Sequence, residues 1–177
     1  MGGKAHNGRR VTRDEAESLF KKIQEDLTTS FDPSFAPYGP DMVLCGSYRR
    51  QKETCGDLDI VIIPDQHDLD GRTLFDTWCI QNFGFQKNGK KPARNGLIDG
   101  VQVEFYVASP DNLGTFLQMW TGSAYHNVQL RRKAQKMGYT MSQYGFRHVK
   151  TKELVTCPTE EEVYNFLGID FVNPSKR

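Results

Sequence analysis

No run of about 18 apolar residues occurs anywhere in this 177-residue chain, so no segment reads as a membrane span. The opening "MGGKAHNGRR" lacks an apolar core, which excludes a secretory signal. It begins Met-Gly, but His6 stands where Ser or Thr would complete a myristoylation pattern. The four cysteines, Cys45, Cys55, Cys79 and Cys157, form no Cys-x-x-Cys pair and no metal-ligand spacing. They read as small buried apolar residues of a reduced, intracellular protein. No histidine cluster supports a zinc site, and His126 and His148 read as surface or satisfied histidines. Internal repeats and low-complexity linkers are absent as well.

What remains is an ordinary globular composition, 37% hydrophobic and 25% charged, long enough for one domain or two small subdomains. Net charge is only +1, but it is unevenly spread: residues 1–80 carry a net −4 and residues 81–177 a net +5. Basic clusters at Lys87–Arg94 and Arg131–Lys136 account for much of the second figure. Such asymmetry suits a metal-binding half joined to a polyanion-binding half.

Thr12 and Glu15 make a capping box ahead of "RDEAESLFKKIQEDL", whose Ala16, Leu19, Phe20, Ile23 and Leu27 recur at helical spacing. "DPSFAPYGP" breaks that helix. "DMVLCG" and "LDIVIIP" read as strands, "GRTLFDTWCIQNFG" as a helix and "NGKKPARNG" as a turn between strands. In "GVQVEFYVA", Val101, Val103, Phe105 and Val107 share one face and Gln102, Glu104 and Tyr106 the other. After Ser109–Pro110, "DNLGTFLQMW", "SAYHNVQLRRKAQKMG" and "PTEEEVYNFLG" read as helices, the second closed by Gly138. The spacing therefore predicts an α+β chain: a mixed sheet with helices over residues 1–110, then a small, mostly helical unit with short strands over 111–177.

The densest chemistry lies in "GSYRRQKETCGDLDIVII", residues 46–63. On a strand, Asp57 and Asp59 project to one face while Leu58 and Ile60 turn into the core. Two carboxylates so close repel each other unless divalent cations sit between them, and an oxygen-only site suits Mg²⁺. Glu104, on the polar face of an alternating strand, is the candidate third carboxylate; Asp99 belongs to an Asp-Gly turn and is set aside. Gly46 and Ser47 would open a helix whose free N–H groups and hydroxyl can hold an anion. Arg50 can grip a phosphate through its fork, and Gly56 allows close backbone approach. Together these predict a triphosphate–metal site for phosphoryl transfer.

At this point the sequence resembles the family X DNA polymerases, the family of the beta and lambda enzymes. "CGSYRRQKETCGDLDIVI" matches their Gly-Ser…Gly-Asp-x-Asp signature without a gap, and "RVTRDEAESL" resembles their first palm helix. "WTGSAYHNVQLRRKAQKMG" resembles their Phe-Thr-Gly-Ser thumb motif, and "PTEEEVYNFLG" with the later "NP" their C-terminal helix and tail. The resemblance implies a nucleotidyltransferase-fold palm, residues 1–110, and a thumb, residues 111–177, without lyase or fingers domains, as in the small viral member of the family. It implies a monomeric DNA-directed DNA polymerase that adds dNTPs to a primer 3′-OH in short gaps, with two Mg²⁺ ions that Mn²⁺ can replace. Asp57 and Asp59 would bind both metals and Glu104 the catalytic one. Gly46, Ser47, Arg50 and Gly56 would hold the triphosphate, with Arg10 a weaker addition. Trp120, Thr121 and Gly122 would border the incoming sugar. Asn127 would meet the incoming base, Arg131 the template base, and Arg132, Lys133 and Lys136 the DNA.

Two departures stand out. The third carboxylate is Glu104, not Asp, and Met119–Trp120 replaces a Tyr-Phe pair. Two other readings therefore stand beside the polymerase: a template-independent or other-acceptor nucleotidyltransferase, and a DNA-binding member with weakened catalysis.

Overall fold

The computed structural model describes residues 8–29, 41–64, 74–87, 89 and 91–177. The elements in chain order are β1 (Val11–Thr12), α1 (Arg13–Thr29), β2 (Asp41–Leu44), α2 (Gly46–Arg49), β3 (Thr54–Cys55), β4 (Asp57–Ile63), α3 (Leu74–Phe83), β5 (Asn95–Ile98) and β6 (Val101–Val107). Then come α4 (Leu113–Thr121), α5 (Ala124–Lys136), β7 (Tyr139–Ser142), β8 (Gly145–His148), β9 (Leu154–Val155) and α6 (Glu160–Leu167). This is the α+β architecture expected. The breaker "DPSFAPYGP" and the first three residues of "GRTLFDTWCIQNFG" lie outside the described residues, as does part of "NGKKPARNG".

The central sheet runs β2-β4-β6-β5, with β4 parallel to β6 and the outer pairs antiparallel. Asp99 and Gly100, both at positive φ, turn the β5–β6 hairpin, the place where Asp-Gly is favoured. Alternation then sorts each strand. Leu58, Ile60, Ile62, Val101, Val103 and Phe105 face α1 and α3 in the main core. There Trp78 meets Phe105 and Phe83 edge-on, with ring centroids 5.6 and 5.7 Å apart. Each such pair contributes about 0.5–1.5 kcal/mol beyond its buried area.

On the opposite face α4 covers only the distal part of the sheet. Phe116 packs there with Val61, Cys45 and Ala108, and Leu117 and Trp120 flank them. Asp57 and Asp59, at the start of β4, and Glu104, midway along β6, are left half-buried beside this cover. A separate core under the three-stranded sheet β7-β8-β9 joins α5 and α6 through Leu130, Ala134, Phe146, Val163 and Tyr164. α4 meets α6 at Gly114, where a Cβ would come within 2.1 Å of the Thr159 backbone. All four cysteines are buried and unpaired. Burial pushes the Cys45 and Cys79 thiols up to about 12 and Cys157 to about 11, so they are inert packing groups.

Candidate active site

The parallel register sets Asp59 directly opposite Glu104 and Asp57 opposite Gln102. The three carboxylates therefore rise from one sheet face, as the alternation implied. Gly46 makes the approach possible: its φ is +55°, and a Cβ there would lie 2.2 Å from Asp59 Oδ2. The backbone thus presses against the carboxylate at a position only glycine tolerates. The Cys45 N–H donates to the Asp59 carbonyl at 2.7 Å and continues the strand pairing up to that glycine.

α2 is a single turn, and Arg50 caps its end. Its arginines face different partners. Arg49 donates to Thr121 Oγ1 at 2.7 Å and also to the buried Glu160 carboxylate. Glu160 in turn accepts from Arg177 Nη1 at 2.7 Å. Burial opposes the charge on Arg49, but the hydrogen bond and charge of Glu160 outweigh it and raise its pKa. Arg50 donates to the Thr121 carbonyl, and its Nε is buried without a hydrogen-bond partner. Ser47 Oγ is buried and unpartnered too. A buried donor left unmade costs about 1–3 kcal/mol, so two beside the carboxylates mark a place prepared for an acceptor-rich group. Gly56 is buried between β3 and β4. Arg10 is held by Thr54, 2.8 Å from its Oγ1, and is exposed.

Tyr106 shares the polar face of β6 with Glu104, and no sequence motif assigns it a role. Its hydroxyl lies 2.6 Å from Glu104 Oε2 and 3.1 Å from Asp59 Oδ1. Its ring stacks on Trp120, whose Nε1 is buried without a partner. Burial, reinforced by the two carboxylates, holds the Tyr106 hydroxyl far above the usual phenol range, so it stays a donor. The signal available in the sequence was its position two residues past Glu104 on the same strand face.

The donor set, three carboxylates on adjacent strands, has the hard-oxygen chemistry that Mg²⁺ takes. Among the described residues, however, no three acidic, cysteine or histidine side chains converge closely enough to hold a metal ion as they stand. The joint ligation expected of Asp57, Asp59 and Glu104 is thus not assembled here, and the Tyr106 hydroxyl spans the gap between two of them.

Gly122 follows α4 at φ +71°, with Arg50 Nη1 3.1 Å from where its Cβ would be, and a cis peptide joins it to Ser123. Ser123 caps α5, accepting from the His126 N–H. Asn127 is locked to α4: Gln118 Nε2 donates to its Oδ1 at 2.8 Å, and its own Nδ2 donates to the Met119 carbonyl at 2.8 Å. Arg131, one turn on, reaches back over Met119 with Nη2 3.6 Å from Sδ. The other basic residues of α5 are not on that face. At about 100° per residue, Arg132, Lys133 and Lys136 point roughly 120–160° away from the Asn127–Arg131 direction. They border a different groove, with Met137 and Ile169. In the other basic cluster, Arg94 is tied to Asp76 at 3.0 Å.

Two protein-family profiles match the chain. The family described as DNA polymerase beta palm matches residues 10–84, and DNA polymerase beta thumb matches residues 116–177. Among curated relatives, the chain is 30% identical over 132 residues to the DNA polymerase/3'-5' exonuclease PolX of Bacillus subtilis, covering 75% of this chain and 23% of that protein. It is 26% identical over 194 residues to the DNA polymerase lambda of Rattus norvegicus, covering 95% and 33%. It is 23% identical over 142 residues to a Repair DNA polymerase X of African swine fever virus, covering 77% and 81%. The chain thus spans 23% and 33% of the first two relatives and 81% of the third. The matched segments take in both the Gly-Asp-x-Asp strand and the Thr-Gly-Ser turn, and with them the chain belongs to the family X DNA polymerases, of which it carries palm and thumb.

Proposed function

We propose that this chain is a DNA-directed DNA polymerase that extends a primer 3′-OH with dNTPs, in short gaps, with residues 1–110 as palm and 111–177 as thumb. The observation that carries the reading is the pairing of Asp59 with Glu104 across β4 and β6, beside the unpartnered Ser47 hydroxyl and Arg50 Nε. Ser47, Arg50 and the Gly46 and Gly56 backbone would receive the triphosphate, and Arg10 lies further out. Trp120, Thr121 and Gly122 border the sugar. Asn127 and Arg131 are held on the α4 side of α5, and there they would face the base pair.

Asp57, Asp59 and Glu104 would hold two Mg²⁺ ions, which neutralise phosphate charge and lower the barrier to deprotonating the 3′-OH when bound. For that, the Tyr106 hydroxyl must release Asp59 or Glu104. Asp59 would then stay fixed by the Gly46 backbone, while Glu104, on a longer arm, has the freedom to swing. No helix among the described residues is long and apolar enough to cross a membrane. Separately, we read the protein as a monomer that works inside the cell.

The second reading, a DNA-binding member with weakened catalysis, is favoured by the same tyrosine. A hydroxyl that donates its one proton to Glu104 at 2.6 Å and lies 3.1 Å from Asp59 competes with whatever these carboxylates are to bind. Primer extension on gapped DNA, with template present and absent, in Mg²⁺ and in Mn²⁺, tests the set. Templated incorporation that Asp59→Ala abolishes supports the polymerase. Incorporation that ignores the template points to another acceptor, and DNA binding without incorporation in either metal points to the weakened member.

A further inference from the structure

α5 has two working faces. One, Asn127 and Arg131, is committed to α4. The other borders a groove of about 830 Å³ that plays no part in the site above. Its size is within the about 300–1,000 Å³ usual for ligand clefts. Leu130 lies at its base, 3% exposed; Met137 is 40% exposed and Ile169 partly so. Arg132, Lys133 and Lys136 form the rim with Gln129 and Gln135, and among the described residues no acidic side chain lines the groove. The half of the chain that contains it carries the net +5.

An apolar floor under a basic rim is a two-part recognition surface. A phosphate backbone would use the rim and leave the floor empty, because phosphates gain nothing from Leu, Met or Ile. An acidic, amphipathic peptide would use both: bulky apolar side chains on the floor and carboxylates at the rim. Methionine suits such a floor, since its unbranched, polarizable chain adapts to different side chains. The lysine stems extend the apolar surface while their ammonium groups stay in water.

We infer that the groove bordered by Arg132, Lys133, Lys136, Met137 and Ile169 docks an acidic amphipathic segment of a partner protein. This does not depend on the polymerase reading, because the groove faces away from Asn127 and Arg131. The test uses the full chain and fluorescence anisotropy with three labelled probes. The first is a designed Leu/Glu helix of about 15 residues, the length at which a helix begins to hold in water. The second is a Gly/Glu peptide of equal charge, and the third is duplex DNA.

Saturable binding of the Leu/Glu probe, at least about tenfold tighter than the Gly/Glu probe, is expected. Met137→Glu should weaken it about tenfold or more while duplex affinity stays within about twofold. Arg132→Glu, a second exposed position, should weaken the Leu/Glu probe as well, with circular dichroism confirming that both variants fold. Equal binding of the two peptides, indifference to both substitutions, or displacement of the Leu/Glu probe by duplex DNA would overturn the assignment. The last outcome would make the groove a nucleic-acid surface.

Discussion

The indole of Trp120 lies face to face on the phenol of Tyr106, with ring centroids 3.4 Å apart and planes 11° from parallel. One ring belongs to α4 and the other to β6, so the stack joins thumb-side helix to sheet where the carboxylates stand. It fixes the ring from which the hydroxyl reaches Glu104 and Asp59. The stack therefore connects helix α4 to the carboxylate pair: a displaced Trp120 would take the phenol with it and free Glu104, while Asp59 keeps its packing against Gly46.

Tyr106→Phe keeps the stack and removes the hydroxyl. A hydrogen bond to a charged group contributes about 1.5–3 kcal/mol. Part of that opposes cation binding, so the Mg²⁺ concentration for half-maximal incorporation should fall about three- to tenfold. Mn²⁺ binding followed by electron paramagnetic resonance gives the same readout without turnover. An unchanged or higher metal requirement would mean the hydroxyl supports the loaded site instead of competing with it.

Much of this architecture is written locally. Thr12 and Glu15 make both halves of their capping box, at 2.8 and 3.3 Å, because the motif needs nothing beyond four consecutive residues. The alternation in β6 sorts Val101, Val103 and Phe105 from Glu104 for the same reason. Tyr106 was legible as a polar-face residue but not as a clamp, since its orientation depends on Trp120 arriving from a different element. The contact between Arg49 and Glu160 spans 111 positions, a separation over which adjacency in sequence says nothing. Arg131 to Lys136 fails in the opposite sense. Neighbours in sequence look like one patch, but the helical step of about 100° sends them to different faces.

Glu160 is 5% exposed between two guanidiniums, with the Arg177 side chain fully buried. Removing one partner of a buried ion network leaves uncompensated charge, at about 3–5 kcal/mol. Glu160→Ala should lose that much stability in urea unfolding. A loss below about 1 kcal/mol would mean that water reaches both arginines and the contact behaves as a surface pair.

Gly114→Ala tests the crossing of α4 over α6. The added Cβ would overlap the Thr159 backbone, which cannot rotate away, so the helices must separate. The expected cost is about 1–3 kcal/mol despite the higher helix propensity of alanine. A stabilised variant would show that the crossing can relax.

His126 Nε2 lies 2.7 Å from the Tyr164 hydroxyl, with Arg177 and Glu160 nearby. Burial, then the positive charge of Arg177, holds its pKa below the usual value of about 6.5, with Glu160 acting the other way. The folded state binds this proton less readily than the unfolded state. Its contribution is thus complete above about 6.5 and is lost as pH falls through the folded pKa. Melting temperature should drop more steeply below pH 6.5 in the natural chain than in His126→Gln. Parallel profiles would remove His126 from the acid response.

Glu104 gives the sharpest test of the candidate site. Its extra methylene moves the carboxylate by about 1 Å relative to aspartate, a displacement that can change a rate about 100-fold. That same reach brings Oε2 to 2.6 Å from the Tyr106 hydroxyl. Shortening the arm in Glu104→Asp should therefore do two things: restore the ordinary third-carboxylate length and break the clamp. Single-turnover extension should become faster in Mg²⁺, with dNTP affinity little changed, because Asp57 and Asp59 are untouched. Mn²⁺, which accepts similar oxygen ligands, should narrow the difference between the two forms. If the clamp is the reason, Tyr106→Phe and Glu104→Asp act on one contact, and the double variant should gain less than the two gains added. Full additivity would separate arm length from clamp. A slower Glu104→Asp would show instead that the surrounding sheet, with Asp59 directly across and Tyr106 two residues on, has adapted to the longer acid.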